Sequence, residues 1–281
     1  MILSMIESAR RACGYKFPPL GPLPQQAILG LLPPVANVEL FPGIRAELDM
    51  RDETDRTTYW QGSRFEKPTP QILAKWLNSG TKVTAFFDIG SNYGFYSCWV
   101  LSICPDLEVF AFEPNPRTFA KIQRIKELNN LIQLRPYNIG LSNEVALLPL
   151  HPGRDDSGHS TFGTHPVLGK TNIDGVTVTR FDTWREQNRL SLPGRAKWIT
   201  KIDVEGFELK VLQGMQASLK AKAFKALVVE INEFTLNFCE TEPADIFAFL
   251  HDCGYLPVET DEADKFSARE PVNRFFVPRA H

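Results

Sequence analysis

The stretch "VTAFFDIGSNYGFYS", Val83–Ser97, decides the fold class of this chain of 281 residues. An almost wholly apolar run ends at Asp88, and a short loop with Gly90 and Gly94 follows it. Aromatic and small residues then predict a helix. A buried strand, a glycine-bearing turn and a helix are typical of a sheet that receives a nucleotide-like ligand.

Strands and helices alternate around this stretch. Before it, "KPTPQILAKWLNSG" predicts a helix with Thr69 as N-cap and Pro70 at the first helical position. After it, "LEVFAFEP", "AKWITKIDVEG" and "KALVVEINE" predict buried strands, each followed by a helical pattern. "YLPVE" and "NRFFVPR" predict a terminal antiparallel hairpin. The pattern indicates an α/β fold with a doubly wound, mostly parallel sheet.

Less regular segments lie between and before these elements. "IQLRPYNIGLS" predicts a third strand, "VALLPLHP" a fourth and "GVTVTRFD" another, with Asp182 as N-cap of the next helix. Residues 152–175 predict a long loop over the sheet, with "SGHSTF" as a lid or acceptor-binding segment. "RAELDMRDETDRTTYW" predicts a strand pair around a D-E-T turn, and residues 1–40 look irregular. We therefore expect an N-terminal extension over 1–65 and the main domain over 66–281.

Composition restricts the class of protein. A formal net charge of -2 argues against nucleic acid as a partner. The five cysteines form no CxxC pair, which favours reduced thiols and a cytoplasmic location. "AILGLLPPVA" is too short to span a membrane. An apolar stripe through Ile2, Ile6, Ala9 and Cys13 predicts a helix that packs on its own domain, and the alternative is contact with a membrane surface or a partner.

The loop after the first strand discriminates between ligands. Asn92 stands where the dinucleotide fingerprint needs its second glycine, and no Gly-Lys-Ser/Thr follows as in a P-loop. S-adenosylmethionine carries a sulfonium and an ammonium instead of phosphates, so it suits an acid at the lip of the pocket. Asp88 would hold the amino-acid end of S-adenosylmethionine, and the backbone amides of the loop would hold the carboxylate of that ligand. The predicted cofactor loop contains Asp88, Gly90, Ser91, Asn92 and Gly94.

Two residues at later strand ends extend the predicted cofactor site. Glu113 follows the second strand, where an acid accepts hydrogen bonds from both ribose hydroxyls. Its alternative role is a carboxylate on a helix dipole. Asn138 follows the third strand and could read the adenine edge, or it could form the turn before Gly140.

These motifs together resemble the FkbM family of S-adenosylmethionine-dependent methyltransferases. The resemblance runs from about Leu48 to Pro257 and is carried by "FFDIGSNYGFYS", "FEPNP", "VTRFDTW" and, most specifically, "KIDVEGFELKVLQG". It implies the class I methyltransferase fold, which is Rossmann-like with seven strands. It also implies methylation of a hydroxyl on a sugar, glycolipid or secondary metabolite. Some relatives resemble N-methyltransferases of peptide or protein side chains, so that alternative stays open.

The acids of the most specific motif are the candidate catalytic residues. Asp203 and Glu205 follow the end of a buried strand. Lys201 lies two residues before Asp203, so the alternation of side chains along a strand could place both on the same side. The alternative role of Glu205 is that of a first-turn acid on the dipole of the helix that follows, as Glu208 is expected to be. Asp203 with Glu230 and Asn232 could bind Mg²⁺, but we favour an acceptor pocket that Glu230 and Asn232 close without metal.

The sequence also leaves alternatives for the general base and for the class of protein. His151, His159 or His165 could supply a general base, although each is more typical of a surface loop. An NAD-dependent oxidoreductase and a non-catalytic cofactor-binding protein are the alternatives from other classes. The expected partner is a small-molecule or glycan acceptor, and the sequence leaves the oligomeric state open.

Overall fold

A computed structural model of the chain describes residues 33–62, 69–153, 158, 160–163, 172–194, 196–259 and 271–279. The strands are β1 (Val35–Phe41), β2 (Ile44–Asp49), β3 (Ala85–Ile89), β4 (Glu108–Phe112), β5 (Leu134–Tyr137), β6 (Gly140–Leu141), β7 (Ala146–Leu150), β8 (Ile173–Thr179), β9 (Trp198–Ile202), β10 (Phe224–Ile231), β11 (Tyr255–Val258) and β12 (Val272–Pro278). The helices are α1 (Glu53–Gln61), α2 (Thr69–Asn78), α3 (Phe95–Ile103), α4 (Pro116–Asn129), α5 (Phe181–Gln187), α6 (Glu208–Gly214), α7 (Gln216–Lys220), α8 (Glu233–Leu236) and α9 (Pro243–Asp252).

A seven-stranded sheet with the order β11-β12-β10-β9-β3-β4-β5 forms the centre of the fold. The strands from β10 through β9, β3 and β4 to β5 pair in parallel, whereas β12 pairs antiparallel with both β10 and β11. The predicted doubly wound, mostly parallel sheet with a C-terminal antiparallel hairpin is therefore confirmed. Its carboxyl-end edge carries the loops after β3, β4, β9 and β10.

Hydrophobic packing covers both faces of this sheet. Phe86 and Phe87 are adjacent on β3, point to opposite faces and are both fully buried. The Phe87 ring lies 5.2 Å from Phe110 and 5.1 Å from Trp198, measured between centroids. Phe207, Val211, Met215 and Leu219, which are spaced four residues apart, are also buried, although the chain divides at Met215 into α6 and α7.

The N-terminal part differs from its prediction. The strand pair is β1 with β2, joined by a turn at Gly43, and it does not extend over 45–60. The D-E-T sequence instead begins α1, because the Asp52 side chain accepts a hydrogen bond from the backbone N–H of Asp55 at 3.1 Å. Residues 35–41, expected to be irregular, form a strand with alternating burial. The division into 1–65 and 66–281 stays a prediction.

The segment after β5 also differs. The expected third strand ends at Tyr137, and β6 then joins β7 and β8 in a separate three-stranded sheet. Exposed and half-buried residues alternate along β7, which is typical of a strand with one face toward solvent. Since both faces of the central sheet are covered, this strand does not extend that sheet.

Further sequence predictions concern segments that the structure leaves out and the residue Asp182. The N-terminal apolar stripe, His159 and His165 lie outside the described residues, as do residues 27–32 of the segment "AILGLLPPVA", whose last two residues begin β1. Among the described helices, none has the length and apolar character to cross a membrane.

Asp182 does not cap its own helix, whose N-cap is Arg180. Its carboxylate instead accepts from the backbone N–H groups of Ala217 and Ser218 at 2.8 and 3.1 Å, at the start of α7.

Candidate active site

The loop after β3 is held against the ends of two neighbouring strands. The backbone N–H groups of Gly90 and Ser91 both donate to the carbonyl of Phe112, at the end of β4, at 3.0 Å. Gly90 has φ of +75°, and a Cβ at this position would lie 1.7 Å from the backbone oxygen of Asp203. Because that oxygen belongs to the backbone, no rotamer change relieves the overlap. A glycine is therefore required for the loop to approach the end of β9.

Asp88 connects the end of β3 to the first turn of α3. Its side chain is buried, and Oδ2 accepts from the backbone N–H and the hydroxyl of Ser97 at 2.9 and 2.6 Å. Burial raises the pKa of Asp88 to about 6, although the hydrogen bonds from Ser97 act in the opposite direction. The residue also lines the main cavity at this edge of the sheet, so it supports the loop and contributes an acid to the pocket.

Glu113 holds two loops together at the end of β4. Its Oε2 accepts from the backbone N–H of Asn92, and its Oε1 accepts from that of Asn115, both at 2.8 Å. Burial raises the pKa of Glu113 to about 7 against the effect of these two hydrogen bonds. Each carboxylate oxygen can accept one more hydrogen bond. Glu113 is thus a fixed acceptor on the cavity wall.

Two predicted cofactor residues lie outside the cavity wall. The amide nitrogen of Asn138 donates to the backbone carbonyls of Glu113 and Pro114 at 2.8 and 3.1 Å, while the next residue, Ile139, lines the cavity. Gly94 is the N-cap of α3 with φ of 89°, and it too is absent from the cavity lining. Both residues shape the loops behind the site, and a direct contact with a ligand stays a prediction for them.

An acidic cluster with one buried lysine lies at the ends of β9 and β10. Carboxylate oxygens of Asp203, Glu205 and Glu230 lie within 4.8 Å of one another. The Lys201 side chain is fully buried, and its Nζ lies 2.9 Å from Oδ2 of Asp203 and 5.4 Å from the centre of the Tyr96 ring. The predicted catalytic acids are thus brought together in the cavity that Asp88 and Glu113 also line.

The surroundings of Glu230 disfavour its charged form. Burial raises its pKa well above the usual value, and the negative charges of Asp203 and Glu205 act in the same direction, while Lys201 opposes them. The side-chain hydrogen bond between Glu230 and Asp203 raises this pKa further. Asn232, a candidate metal ligand in the sequence, instead caps α8, since its Oδ1 accepts from the backbone N–H of Phe234 at 3.1 Å.

Glu208 has a role that the sequence reasoning missed. It lies in the first turn of α6, as expected, but its side chain is 2% exposed. Its Oε1 accepts from the backbone N–H groups of Val204 and Gly206 at 3.1 and 3.2 Å. These contacts fix the turn in which Glu205 has the unusual φ of 50°.

Residues 160–163 contribute Ser160 and Phe162 to the cavity lining. The Thr161 hydroxyl donates to the backbone carbonyl of Glu205 at 2.7 Å, and the Asn115 amide donates to the Ser160 hydroxyl at 3.2 Å. The Phe162 ring packs 5.3 Å from that of Phe207. This part of the predicted acceptor-binding segment therefore contacts the loops after both β4 and β9. His151 is joined to it through a β-bridge with Thr161, and it does not line the cavity.

The cavity has a volume of about 230 Å³ and contains unsatisfied polar atoms. Ser91 Oγ and Asn92 Oδ1 are buried and have no hydrogen-bond partner among the described residues. Buried polar atoms without partners are rare in folded proteins. Their place in the glycine loop indicates a polar ligand that completes their hydrogen bonds.

Solved structures of similar fold include methyltransferases. The precorrin-6y C5,15-methyltransferase of Geobacter metallireducens is 14% identical with a TM-score of 0.41, and the alignment covers 77% of this chain and 90% of that one. The TYW2 protein of M. jannaschii, solved in complex with AdoMet, is 10% identical with a TM-score of 0.40, with 88% of each chain covered. The fold assignment depends on the strand order rather than on these scores.

Comparison with known sequences gives stronger matches. The chain is 34% identical over 184 residues to the hexuronic acid methyltransferase AglP of Haloferax volcanii, which covers 64% of this chain and 67% of the relative. It is 24% identical over 175 residues to the 2-O-methyltransferase NoeI of Sinorhizobium fredii, covering 58% and 64%. The alignments thus span about two thirds of each relative. The model of the methyltransferase FkbM domain matches residues 88–257, more than half of the chain. The resemblance seen in the sequence is confirmed: the chain belongs to the FkbM methyltransferase family.

Proposed function

We propose that this protein uses S-adenosylmethionine to methylate a hydroxyl oxygen of a sugar, a glycolipid or a secondary metabolite. The observation that carries the proposal is a single cavity lined both by a fixed acceptor, Glu113, and by the acids Asp203 and Glu205. Glu113 suits the ribose of a nucleoside, whereas Asp203 and Glu205 suit an acceptor molecule that loses a proton. The relatives named as a hexuronic acid methyltransferase and a 2-O-methyltransferase support this choice of substrate class.

The glycine loop fits the cofactor through its free polar atoms. S-adenosylmethionine, when bound, supplies a methyl group on a positively charged sulfur. Glu113 would accept hydrogen bonds from the ribose hydroxyls, since the loop N–H groups leave one lone pair on each of its oxygens. Ser91 Oγ and Asn92 Oδ1 would gain the partners that they lack among the described residues. Asp88 would attract the ammonium end of the ligand.

The acids after β9 would bind the acceptor and take its proton. The Lys201 ammonium donates a hydrogen bond to Oδ2 of Asp203 at 2.9 Å, so this carboxylate is already engaged within the protein. We therefore assign the proton to Glu205, and Asp203 would orient the hydroxyl as a hydrogen-bond acceptor. Glu208 and Thr161, which hold the backbone around Glu205, would keep this base in position.

The cluster is proposed to work without a metal ion. Three carboxyl groups are a donor set that a hard cation accepts. However, the Lys201 ammonium already lies 2.9 Å from Asp203, and burial together with the neighbouring carboxylates raises the pKa of Glu230 well above its usual value, so the cluster carries less negative charge than three ionised carboxyl groups would. A cytoplasmic location and the absence of nucleic acid as a partner stay predictions from the sequence.

Transfer of an isotopically labelled methyl group tests the proposed reaction. The protein would be incubated with trideuteromethyl S-adenosylmethionine and with glycan, glycolipid and metabolite fractions of its source cells, and the products would be analysed by mass spectrometry and NMR. We expect a deuterated methyl group on oxygen with wild-type protein and with Glu127→Gln, a change at an exposed site outside the cavity. Glu205→Gln should slow transfer by about 10²- to 10⁴-fold. A label found on nitrogen would overturn the assignment of the acceptor atom.

A further inference from the structure

The helix α1 precedes the part of the chain that matches the family model, yet it borders the cavity. The match covers residues 88–257, whereas α1 is Glu53–Gln61. Thr54, in the first turn of α1, is among the described residues that line the cavity. One turn later, Thr58 is 1% exposed. The helix is therefore built into the region of the candidate site.

A buried hydrogen bond joins α1 to the glycine loop after β3. The hydroxyls of Thr58 and Tyr93 lie 2.7 Å apart, and Tyr93 is 2% exposed and lines the cavity. Tyr93 stands between Asn92, with φ of 50°, and Gly94, with φ of 89°. A left-handed backbone conformation at a residue such as Asn92 persists only where the surrounding structure fixes it. The bond to Thr58 supplies such a fixed point beside it.

The helix α1 is itself anchored on the main domain. The Asp55 side chain is fully buried, and its Oδ2 accepts from Nζ of Lys121, on α4, at 2.9 Å and from the backbone N–H of Asp49 at 2.7 Å. On the adjoining β1–β2 hairpin, the two carboxylate oxygens of Glu47 accept from the guanidinium of Arg124, also on α4, at 2.9 and 2.7 Å. These contacts give α1 a fixed position from which it can hold the loop.

We infer that Thr58 and Tyr93 are positioning residues for the cofactor: through the bond between their hydroxyls, α1 holds the glycine loop in the conformation that binds S-adenosylmethionine. This inference rests on the proposed function. The buried polar atoms Ser91 Oγ and Asn92 Oδ1 belong to the two residues immediately before Tyr93, so a shift of Tyr93 moves them. When only a fraction of the molecules has the binding-competent loop, the dissociation constant rises by the inverse of that fraction.

Isothermal titration calorimetry with S-adenosylmethionine tests the inference on the full chain. Tyr93→Phe and Thr58→Val each remove one hydroxyl and nearly keep the shape of the side chain, and we expect each to raise the dissociation constant about 3- to 10-fold. The double variant should bind no more weakly than the weaker single variant, because both changes remove the same bond. Thr58→Ser, which keeps the hydroxyl, should bind within about twofold of wild-type protein.

Tyr255→Phe is the matched control. Tyr255 is also fully buried, and its hydroxyl donates to the backbone carbonyl of Phe224 at 3.1 Å, but it is absent from the described lining of the cavity. This variant should lose stability as Tyr93→Phe does and keep the dissociation constant of wild-type protein. Without ligand, amide hydrogen exchange of residues 90–97 should become about 3- to 10-fold faster in Tyr93→Phe and Thr58→Val, but not in Tyr255→Phe.

The outcomes separate the inference from the proposed function. Equal dissociation constants of wild-type protein, Tyr93→Phe and Thr58→Val, at a temperature where circular dichroism shows them folded, would overturn the inference and leave the cofactor assignment intact. An equal weakening in Tyr255→Phe would also overturn it, since general destabilisation would then explain the effect. Failure of wild-type protein to bind S-adenosylmethionine would overturn the proposed function itself.

Discussion

Substitution of Gly90 by alanine tests the geometry that brings the glycine loop against the end of β9. A Cβ at Gly90 would lie 1.7 Å from the backbone oxygen and 2.7 Å from the backbone carbon of Asp203. The two strand ends would have to separate, which weakens the hydrogen bond from the backbone N–H of Asp203 to the carbonyl of Ile89, now 2.9 Å long. The change therefore acts on the glycine loop after β3 and on the turn after β9 together.

Gly43 provides a matched control because it has nearly the same backbone conformation. Its φ is +77°, against +75° for Gly90, but a Cβ there meets nothing within 4 Å. Gly43→Ala therefore measures the left-handed strain alone, about 1–2 kcal/mol. Gly90→Ala adds overpacking of about 1–3 kcal/mol and a weakened hydrogen bond of about 1 kcal/mol. We expect it to lower the free energy of unfolding by about 3–6 kcal/mol in total.

Urea unfolding and calorimetric titration with S-adenosylmethionine measure the two effects. Gly90→Ala should be less stable than Gly43→Ala by about 2 kcal/mol or more, and its cofactor binding should be lost or weakened at least about tenfold. Gly43→Ala should bind the cofactor like wild-type protein, since Gly43 lies in the β1–β2 turn. Equal stability of the two variants would refute the proposed contact between the loop and the end of β9.

Three further predictions concern charge and capping. Because burial raises the pKa of Glu113 to about 7, the folded protein holds a proton that the unfolded chain loses near pH 4.5. The free energy of unfolding, measured with urea, should therefore fall as the pH rises from 5 to 7, and Glu113→Gln should make this fall smaller. An unchanged slope in the variant would contradict the assignment. Asp182→Ala should lower the free energy of unfolding by about 1–2 kcal/mol, since it removes the bonds to Ala217 and Ser218, and thermal unfolding of Asp182→Asn should show a smaller loss. Exhaustive chelation should leave the methyl-transfer rate unchanged, because Lys201 supplies the positive charge of the acidic cluster; a loss restored by Mg²⁺ would contradict the metal-free site.

The sequence predicted the central sheet because its strands are unambiguous. Each buried strand near the site is an apolar run that ends at an acid or a glycine, as at Asp88 and Glu113, and parallel strands place those ends on one edge. For that reason the sequence could bring Asp88, Glu113, Asp203 and Glu205 to a common cavity, and the structure agrees.

The N-terminal region was harder to predict because its signals are local and ambiguous. The D-E-T sequence after Asp52 reads equally as a hairpin turn and as a capped helix start, and the capping hydrogen bond to Asp55 decides for the helix. Asp182 shows the same difficulty at longer range. Its partners, Ala217 and Ser218, are over thirty positions away and become neighbours only when α5 and α7 pack.

The positioning role of Glu208 could not be read from the sequence for a related reason. An acid in the first turn of a helix usually interacts with the helix dipole, and that interpretation needs no other contact. Here the backbone reverses around Gly206, which has φ of 101°, and so turns the N–H groups of Val204 and Gly206 toward the carboxylate. Such reversal depends on tertiary packing, since a Cβ on Gly206 would lie 2.3 Å from the carbonyl oxygen of Thr235.

A crystal structure of the protein with bound S-adenosylmethionine tests the central proposal most directly. We predict density in the cavity, with ribose hydroxyls about 2.6–3.2 Å from the Glu113 carboxylate and the sulfur on the side of Asp203 and Glu205. The Ser91 hydroxyl should gain a hydrogen bond to the ligand. A ligand bound elsewhere on the chain, or one whose ribose does not contact Glu113, would contradict the proposed cofactor site.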